Sequence, residues 1–330
     1  MLFSIIVPVY NRPDEVQELL ESLEKQSLHN FEVLIVEDGA KYSCENVVLK
    51  FADTLNVRYF NIPNTDRSFR RNYGIENAKS DYFIFFDSDC VIPQEYFDNL
   101  TKELDANYSD CYGGPDTAHE SFSVVQKAIN YAMTSFFTTG GIRGGKKQME
   151  KYKPRSFNMG FSRKVFDKVG GFNCMLSEDM DLAIRISKTD FRISLFRDVY
   201  VYHKRRISFS KFFHQVENFG VARVNMMLLH KSSLKIVHLF PTAFLLGLIL
   251  IIVLSSICSP LWLVFPVFYT LLICVDALFK TKSFTTALVA IYASYIQIIA
   301  YGWGFLKSFF TKIILQKSFE DSHTLEKIYY

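Results

Sequence analysis

Tyr82-Phe83-Ile84-Phe85-Phe86-Asp87-Ser88-Asp89 is the stretch on which the reading of this chain turns. Five apolar or aromatic residues in a row are too few for a helix and suit a strand buried on both faces, and carboxylates begin where that strand must end. Working outward, Ser4–Tyr10 (SIIVPVY) and Phe31–Glu37 (FEVLIVE) read the same way, and Val57–Asn61 reads as a third strand. Between them, Glu15–Lys25 sets Val16, Leu19, Leu20 and Leu23 at helical spacing, and Arg70–Ala78 reads as a helix. Pro93 is placed to open a further helix. A short strand is expected near Ser156–Phe161, a helix over Glu178–Ser187 and a last strand over Val199–Tyr202. Strands alternating with helices predict an α/β fold with a mostly parallel, Rossmann-like sheet covered on both faces. In such sheets ligands bind beyond the carboxyl ends of the strands, so the polar residues after each strand are the ones to inspect.

The 330 residues are 49% hydrophobic and 22% charged, but the charge is unevenly spread. From Ile236 to Phe279 the only formal charge is Asp276, and from Ser283 to Leu306 there is none. This divides the chain into a strand–helix domain over 1–208, a connecting amphipathic helix over 209–235, a hydrophobic region of two to three spans over 236–306, and a basic tail over 307–330. Phe209, Phe212, Phe213, Val216 and Phe219 recur at helical spacing in the connector. That face suits the membrane interface and packing against the strand–helix domain equally well. The apolar segments 237–257, 261–279 and 284–306 each approach the ~20 residues a spanning helix needs. Lys204, Arg205, Arg206, Lys211, Arg223, Lys231 and Lys235 precede them; they are expected to mark the cytoplasmic face of an inner membrane, with the first domain on that side, or else form a solvated basic face. Three crossings would then put Lys307, Lys312 and Lys317 on the far side, against that tendency, so one segment is a candidate for a re-entrant or interfacial position, the third with its Gly302 and Gly304 first among them. A net charge of +3 gives no case for a nucleic-acid partner. The six cysteines form no CxxC pair and suggest neither a zinc site nor a disulfide framework. Val7–Tyr10 already reads as folded structure with no basic segment before it, so no secretory leader is expected. Gly140–Lys147 reads as a mobile loop.

Four short constellations carry chemistry. Asp87-Ser88-Asp89 at a strand's carboxyl end can aim two carboxylates at one Mg²⁺ or Mn²⁺ that bridges a diphosphate; the same three residues also make turns and helix caps. Glu37-Asp38-Gly39 follows another strand, where Asp38 can accept hydrogen bonds from a nucleobase or ribose, or simply occupy a tight turn in which Gly39 supplies backbone freedom. Arg70-Arg71-Asn72-Tyr73-Gly74 opens a helix, either as an anion site or as an exposed basic face. Glu178-Asp179-Met180-Asp181-Leu182 opens another, where a carboxylate can take a proton from an acceptor hydroxyl if burial raises its pKa, or can merely complement the helix dipole.

In order and spacing, Pro8-Val9-Tyr10-Asn11, Glu37-Asp38-Gly39, Arg70-Arg71-Asn72-Tyr73-Gly74, Asp87-Ser88-Asp89, Asn158-Met159-Gly160 and Glu178-Asp179 together resemble family 2 glycosyltransferases of the GT-A fold, over about residues 3–220. The resemblance implies inverting transfer from a UDP- or GDP-linked sugar. It implies that Asp38, Pro8 and Tyr10 form the base pocket, that Arg71, Asp87 and Ser88 meet the nucleotide sugar, and that Asp89, Asp87 and His203 hold Mg²⁺ or Mn²⁺. Asp179 would be the base, with Glu178 beside it. Processive relatives carry QxxRW, whereas this chain reads Gln215-Val216-Glu217-Asn218-Phe219, which favours transfer of single sugars. The acceptor implied is a lipid-linked or envelope glycan beside membrane lipids, or alternatively a polyprenyl phosphate. A nucleotidyltransferase would show a Gly-rich loop after the first strand, where this chain has Val9-Tyr10-Asn11-Arg12-Pro13. A non-catalytic membrane scaffold leaves the acidic strand ends unexplained.

Overall fold

The computed structural model describes residues 2–39, 41–63, 65–117, 122–140, 152–173, 177–204 and 206–316. Most of the expected mobile loop, from residue 141 on, lies outside these, as do Cys174, Arg205, Lys317 and the rest of the tail.

The strands are β1 (Phe3–Val9), β2 (Phe31–Glu37), β3 (Val57–Asn61), β4 (Tyr82–Phe86), β5 (Cys90–Val91), β6 (Cys111–Gly113), β7 (Asp116–Thr117), β8 (Asn158–Ser162), β9 (Ile193–Leu195) and β10 (Val201–His203). Seven form one sheet in the order β3-β2-β1-β4-β8-β6-β9, and β5-β10-β7 form a small second sheet. β1 lies parallel to both β2 and β4, and β2 parallel to β3. β8 runs antiparallel to β4 and β6, so the parallel half ends there.

The helices of the sheet domain are α1 (Pro13–Glu24), α2 (Glu45–Leu49), α3 (Arg67–Asn77), α4 (Tyr96–Ala106), α5 (Val124–Thr134), α6 (Phe136–Thr139), α7 (Arg163–Val169) and α8 (Glu178–Ser187). Continuous apolar runs make sense because the central strands are covered twice. Ile5, Val33 and Ile35 pack with Leu19, Leu20 and Leu23 of α1 on one face. Ile6, Phe83 and Phe85 pack with Ile75 and Leu182 on the other. Pro93 does not open α4; its carbonyl accepts from Tyr96 N at 3.0 Å in a turn that leads into the helix. Gly39 likewise adopts no left-handed backbone. It supplies room, since a Cβ there would lie 2.7 Å from Cβ of Pro63.

The C-terminal part comprises α9 (Phe209–Leu229), α10 (Phe240–Ile257), α11 (Val264–Thr281) and α12 (Phe284–Phe309). Three helical stretches there, Ile236–Ile257, Pro260–Thr281 and Phe284–Ile314, are long and apolar enough to cross a membrane. The third is continuous, without the break a re-entrant segment needs. The connector α9 packs against α12 rather than only on the sheet domain, through Phe212 and Val216. Although they fall within the first 208 residues, α5 and α6 belong spatially to this helical layer. Ala128, Ile129 and Ala132 are buried with Ile273, Ala287 and Ala290. Tyr131 donates to Asp276 Oδ2 at 2.6 Å, and Ser135 to the same oxygen at 3.1 Å. At the α9–α12 crossing a Cβ on Gly304 would lie 2.1 Å from the Glu217 carbonyl oxygen, and one on Gly220 2.3 Å from that of Tyr301. Backbone meets backbone here, so neither side can yield by rotamer change. Gly304→Val should therefore lower thermal stability in detergent by about 1–3 kcal/mol, the usual cost of overpacking, while Gly247→Ala, which has open space around it, should raise or leave the melting temperature unchanged.

Candidate active site

The carboxyl ends of β1, β2 and β4 lie side by side, and the residues that follow them gather at one edge of the sheet. Pro8 is buried in β1 opposite Val36, and Tyr10 follows, partly exposed. Asp38 is buried after β2, where its Oδ2 lies 3.2 Å from Arg70 Nη1 and its Oδ1 accepts from Thr65 N at 3.3 Å. Neighbouring Glu37 is structural, holding Cys44 N at 3.0 Å and the Tyr59 hydroxyl at 2.5 Å.

Helix α3 is started by Asp66, whose side chain accepts from Phe69 N at 2.9 Å. Arg70 and Arg71 are buried, which removes the reading of an exposed basic face for that pair. Arg71 is fully buried and donates to Glu178 Oε1, to Asp87 Oδ1 at 3.0 Å and to Ser156 Oγ at 2.9 Å, with its guanidinium over the Phe172 ring at 5.1 Å. One side chain thus joins the end of β4, the residues before β8 and the start of α8.

Within Asp87-Ser88-Asp89 the three side chains separate. Asp87 faces Arg71, the Ser88 hydroxyl turns to Glu15 of α1 at 3.2 Å, and Asp89 turns toward β10. Asp89 Oδ1 lies 3.0 Å from His203 Nε2, and Arg12 Nη1 is 3.8 Å from Asp89 Oδ2. The His203 ring stacks on Phe157 with centroids 5.0 Å apart, and its other nitrogen is 3.7 Å from Asp116. Burial pushes the Asp89 carboxyl up, but the charge and hydrogen bond of His203, with Arg206 and Arg12, outweigh it and hold the group well below the usual carboxylate range. Asp89, Cys90 and His203 bring ligand atoms within 4.8 Å of one another. The carboxylate and imidazole suit Mn²⁺ or Mg²⁺. Cys90 does not, because a thiolate is a soft ligand and these are hard cations; in the free site burial, then the charges of Asp89 and Asp87, push its thiol well above its ordinary value. Asp87, expected as a third ligand, is not in this group.

At the first turn of α8, Glu178 meets Arg71, and Asp179 Oδ2 lies 2.9 Å from Arg155 Nε. Asp179 Oδ1 also accepts from Met180 N at 2.7 Å. The turn is entered through Ser177 in the left-handed region (φ 66°), a conformation that side chains disfavour and that fixes where the two carboxylates point. Asp181, two residues further on, binds Asn173 Nδ2, Arg185 Nε and His230 Nε2 at 2.8, 2.9 and 2.8 Å. The condition set for a basic Asp179, that burial raise its carboxyl toward neutrality, is not met in the free site. Burial does act upward, but Arg155 and Arg71 together with two backbone hydrogen bonds draw its carboxyl below 3.8. Arg155 and Arg12 were not singled out in the sequence. Their signal was position alone, one three residues before β8 and the other three residues after β1, just before α1.

The family 2 glycosyl transferase model matches residues 4–170, half of the chain and all of the sheet's parallel half. This chain belongs to glycosyltransferase family 2. An uncharacterized glycosyltransferase of Haemophilus influenzae is 30% identical over 222 residues, 63% of this chain and 71% of that one. One of Rickettsia felis is 35% identical over 130 residues, 38% of this chain but 21% of that longer protein, so against some relatives the chain spans only about a fifth of their length. Among solved structures, a mannosyltransferase from Pyrobaculum calidifontis, in complex with GDP-Man and Mn²⁺, superposes with a TM-score of 0.63 at 15% identity, covering 89% of this chain and 86% of that one. At that identity the likeness shows the GT-A fold. The strand-end carboxylates lie beyond the carboxyl ends of the parallel strands, where open α/β sheets bind their ligands.

A depressed pKa makes a carboxylate's stabilising effect complete above its unfolded value and lets it vanish as pH falls through the folded one. The stability difference between wild type and Asp179→Asn should therefore be largest at pH 6–7 and shrink below about pH 3.8, as read by thermal melts across that range. A difference that grows on acidification would contradict the ion pair with Arg155.

Proposed function

We propose that this glycosyltransferase transfers one sugar, with inversion, from a UDP- or GDP-linked donor to a lipid-linked or envelope glycan at the cytoplasmic face of a membrane. The observation that carries the reading is the Arg71 bridge, which sets the β4-end carboxylates and the α8 pair Glu178–Asp179 around one space. Asp38, Pro8 and Tyr10 receive the base, and Arg71 and Asp87 orient the ribose and diphosphate. Asp89 and His203 would hold Mg²⁺ or Mn²⁺, which would supply positive charge against the departing diphosphate. Asp179 takes the proton of the acceptor hydroxyl as that oxygen bonds to the anomeric carbon and the bond to the diphosphate breaks on the opposite side. Its low pKa in the free site means the base is ionised and waiting, and a substrate that draws Arg155 away leaves burial to raise its basicity. Gln215–Phe219 on α9, without Arg-Trp, supports single additions rather than a growing polymer.

The test uses full-length protein in detergent. Asp179→Asn should cut turnover by about 10²–10⁴-fold while nucleotide binding persists. With Mn²⁺ present, one of UDP, GDP, CDP or ADP at a hundredfold excess over its Kd should stabilise the wild type by about 2.7 kcal/mol, an effect lost in Asp89→Ala. Folded wild type that responds to none of the four would remove the donor assignment. Replacing Arg155 with Gln should move the acid limb of the pH–rate profile upward, because a charge that depresses Asp179 has gone.

A further inference from the structure

The first turn of α8 carries both Glu178 and Asp179, yet its N-cap does not fasten it. The Ser177 side chain makes no cap hydrogen bond. Anchoring falls to side chains further along, Glu178 on Arg71 and, one turn on, Asp181. The Asp181 side chain is only 4% exposed, and both of its oxygens are engaged. Oδ2 accepts from Asn173 Nδ2 at 2.8 Å and from Arg185 Nε at 2.9 Å, and Arg185 is itself tied to the carbonyls of Val169 and Gly171 at 2.8 and 2.6 Å. Oδ1 meets His230 Nε2 at 2.8 Å. Asn173 and Arg185 belong to the sheet domain, whereas His230 comes from the end of α9 in the helical layer.

His230 is itself firmly held. Its N–H donates to the Met226 carbonyl and its carbonyl accepts from Ser233 N, both at 2.8 Å, while Ser233 Oγ donates to the Met226 carbonyl at 2.9 Å. α9 is in turn fixed to the helix after it in the layer, since Lys307 Nζ lies 3.4 Å from Glu217 Oε1 and Lys312 Nζ donates to Asn225 Oδ1 at 2.6 Å. On the far side of the imidazole, Lys188 Nζ is 3.3 Å from Nδ1. An ammonium group can only donate, so Nδ1 accepts and the ring proton stands on Nε2, aimed at Asp181. Two side chains from the two ends of α8 thus grip one ring from the helical layer.

We propose that His230 is a positioning residue for Asp179: its hydrogen bond to Asp181 sets the first turn of α8 against the helical layer, and with it the direction in which Asp179 meets the acceptor. His230 touches no substrate. Without it the buried Oδ1 of Asp181 loses its donor, both remaining bonds fall on Oδ2, and the carboxylate can swing about them. Asp179, two residues away in the same stretch of helix, moves with it. This rests on the reading of Asp179 as the base.

Full-length protein in detergent, given UDP- and GDP-linked hexoses with a membrane lipid extract as acceptor, tests it through the nucleoside diphosphate released. His230→Ala should lower kcat by about 10–100-fold, the scale of a small misplacement of a catalytic group, and leave the KM for the donor unchanged. His230→Gln, whose amide nitrogen reaches the place of Nε2, should restore most of the rate, and His230→Asn, whose amide nitrogen falls at the place of Nδ1, should not. A His230→Ala protein with unchanged kcat, or a His230→Gln protein as slow as it, would overturn the proposal. Asp179→Asn separates this proposal from the base assignment. If that variant keeps full turnover, the base assignment falls and the positioning role falls with it. If it is slow, adding His230→Ala should slow it no further, because the two act as one unit. An added loss as large as in the wild-type background would overturn the positioning role and leave the base assignment standing.

Discussion

Arg71 has no access to water, so its charge is tolerable only because Glu178 and Asp87 neutralise it and Ser156 fills a further donor. Removing one partner from a buried ion pair leaves an uncompensated charge, which typically costs about 3–5 kcal/mol. The network therefore holds together parts of the chain 107 residues apart. α3 is held against β1 by Gly74, where a Cβ would lie 2.4 Å from Cγ2 of Ile6, and α3 in turn fixes Arg71. Asp87 can only be reached because β4 neighbours β1. The register of the parallel sheet and the placement of α8 are thus written into a single guanidinium.

A neighbouring consequence is electrostatic. Asp38, Asp89 and Asp179 each face a basic side chain: Arg70, His203 with Arg12, and Arg155. Four or more carboxylates converging on one edge would otherwise repel one another and resist burial. The arrangement offsets that repulsion, and at Asp89 and Asp179 it holds the carboxyls below their ordinary range.

Much of this was legible in the sequence because its signals are local. The runs at Phe3–Val9, Phe31–Glu37 and Tyr82–Phe86 can be little other than buried strands, and their ends named Asp38, Asp87 and Asp89. Glu178 at the start of a helix was legible for the same reason. Pairings across the fold were not. Nothing near Arg155 announces that it will meet Asp179, and nothing in Asp87-Ser88-Asp89 tells that its side chains diverge to Arg71, Glu15 and His203. Pro93 misled because the turn it begins precedes the helix, and Gly39 because a lack of space and a need for left-handed backbone look alike in a sequence. The membership of α5 in the helical layer was likewise hidden, since Val124–Thr134 carries an ordinary amphipathic pattern that does not say which apolar surface it covers.

That membership bears on how such an enzyme can be divided. Ala128, Ile129 and Ala132 are covered by Ile273, Ala287 and Ala290, and Tyr131 donates a hydrogen bond to the Asp276 carboxylate of α11. Cutting the chain after residue 208 or 235 would strip this cover and leave a greasy, partly polar scar on the catalytic half. The anchor doubles as part of the enzyme's own wall, and a soluble fragment would have to be redesigned along α5 before it could exist as a monomer in water.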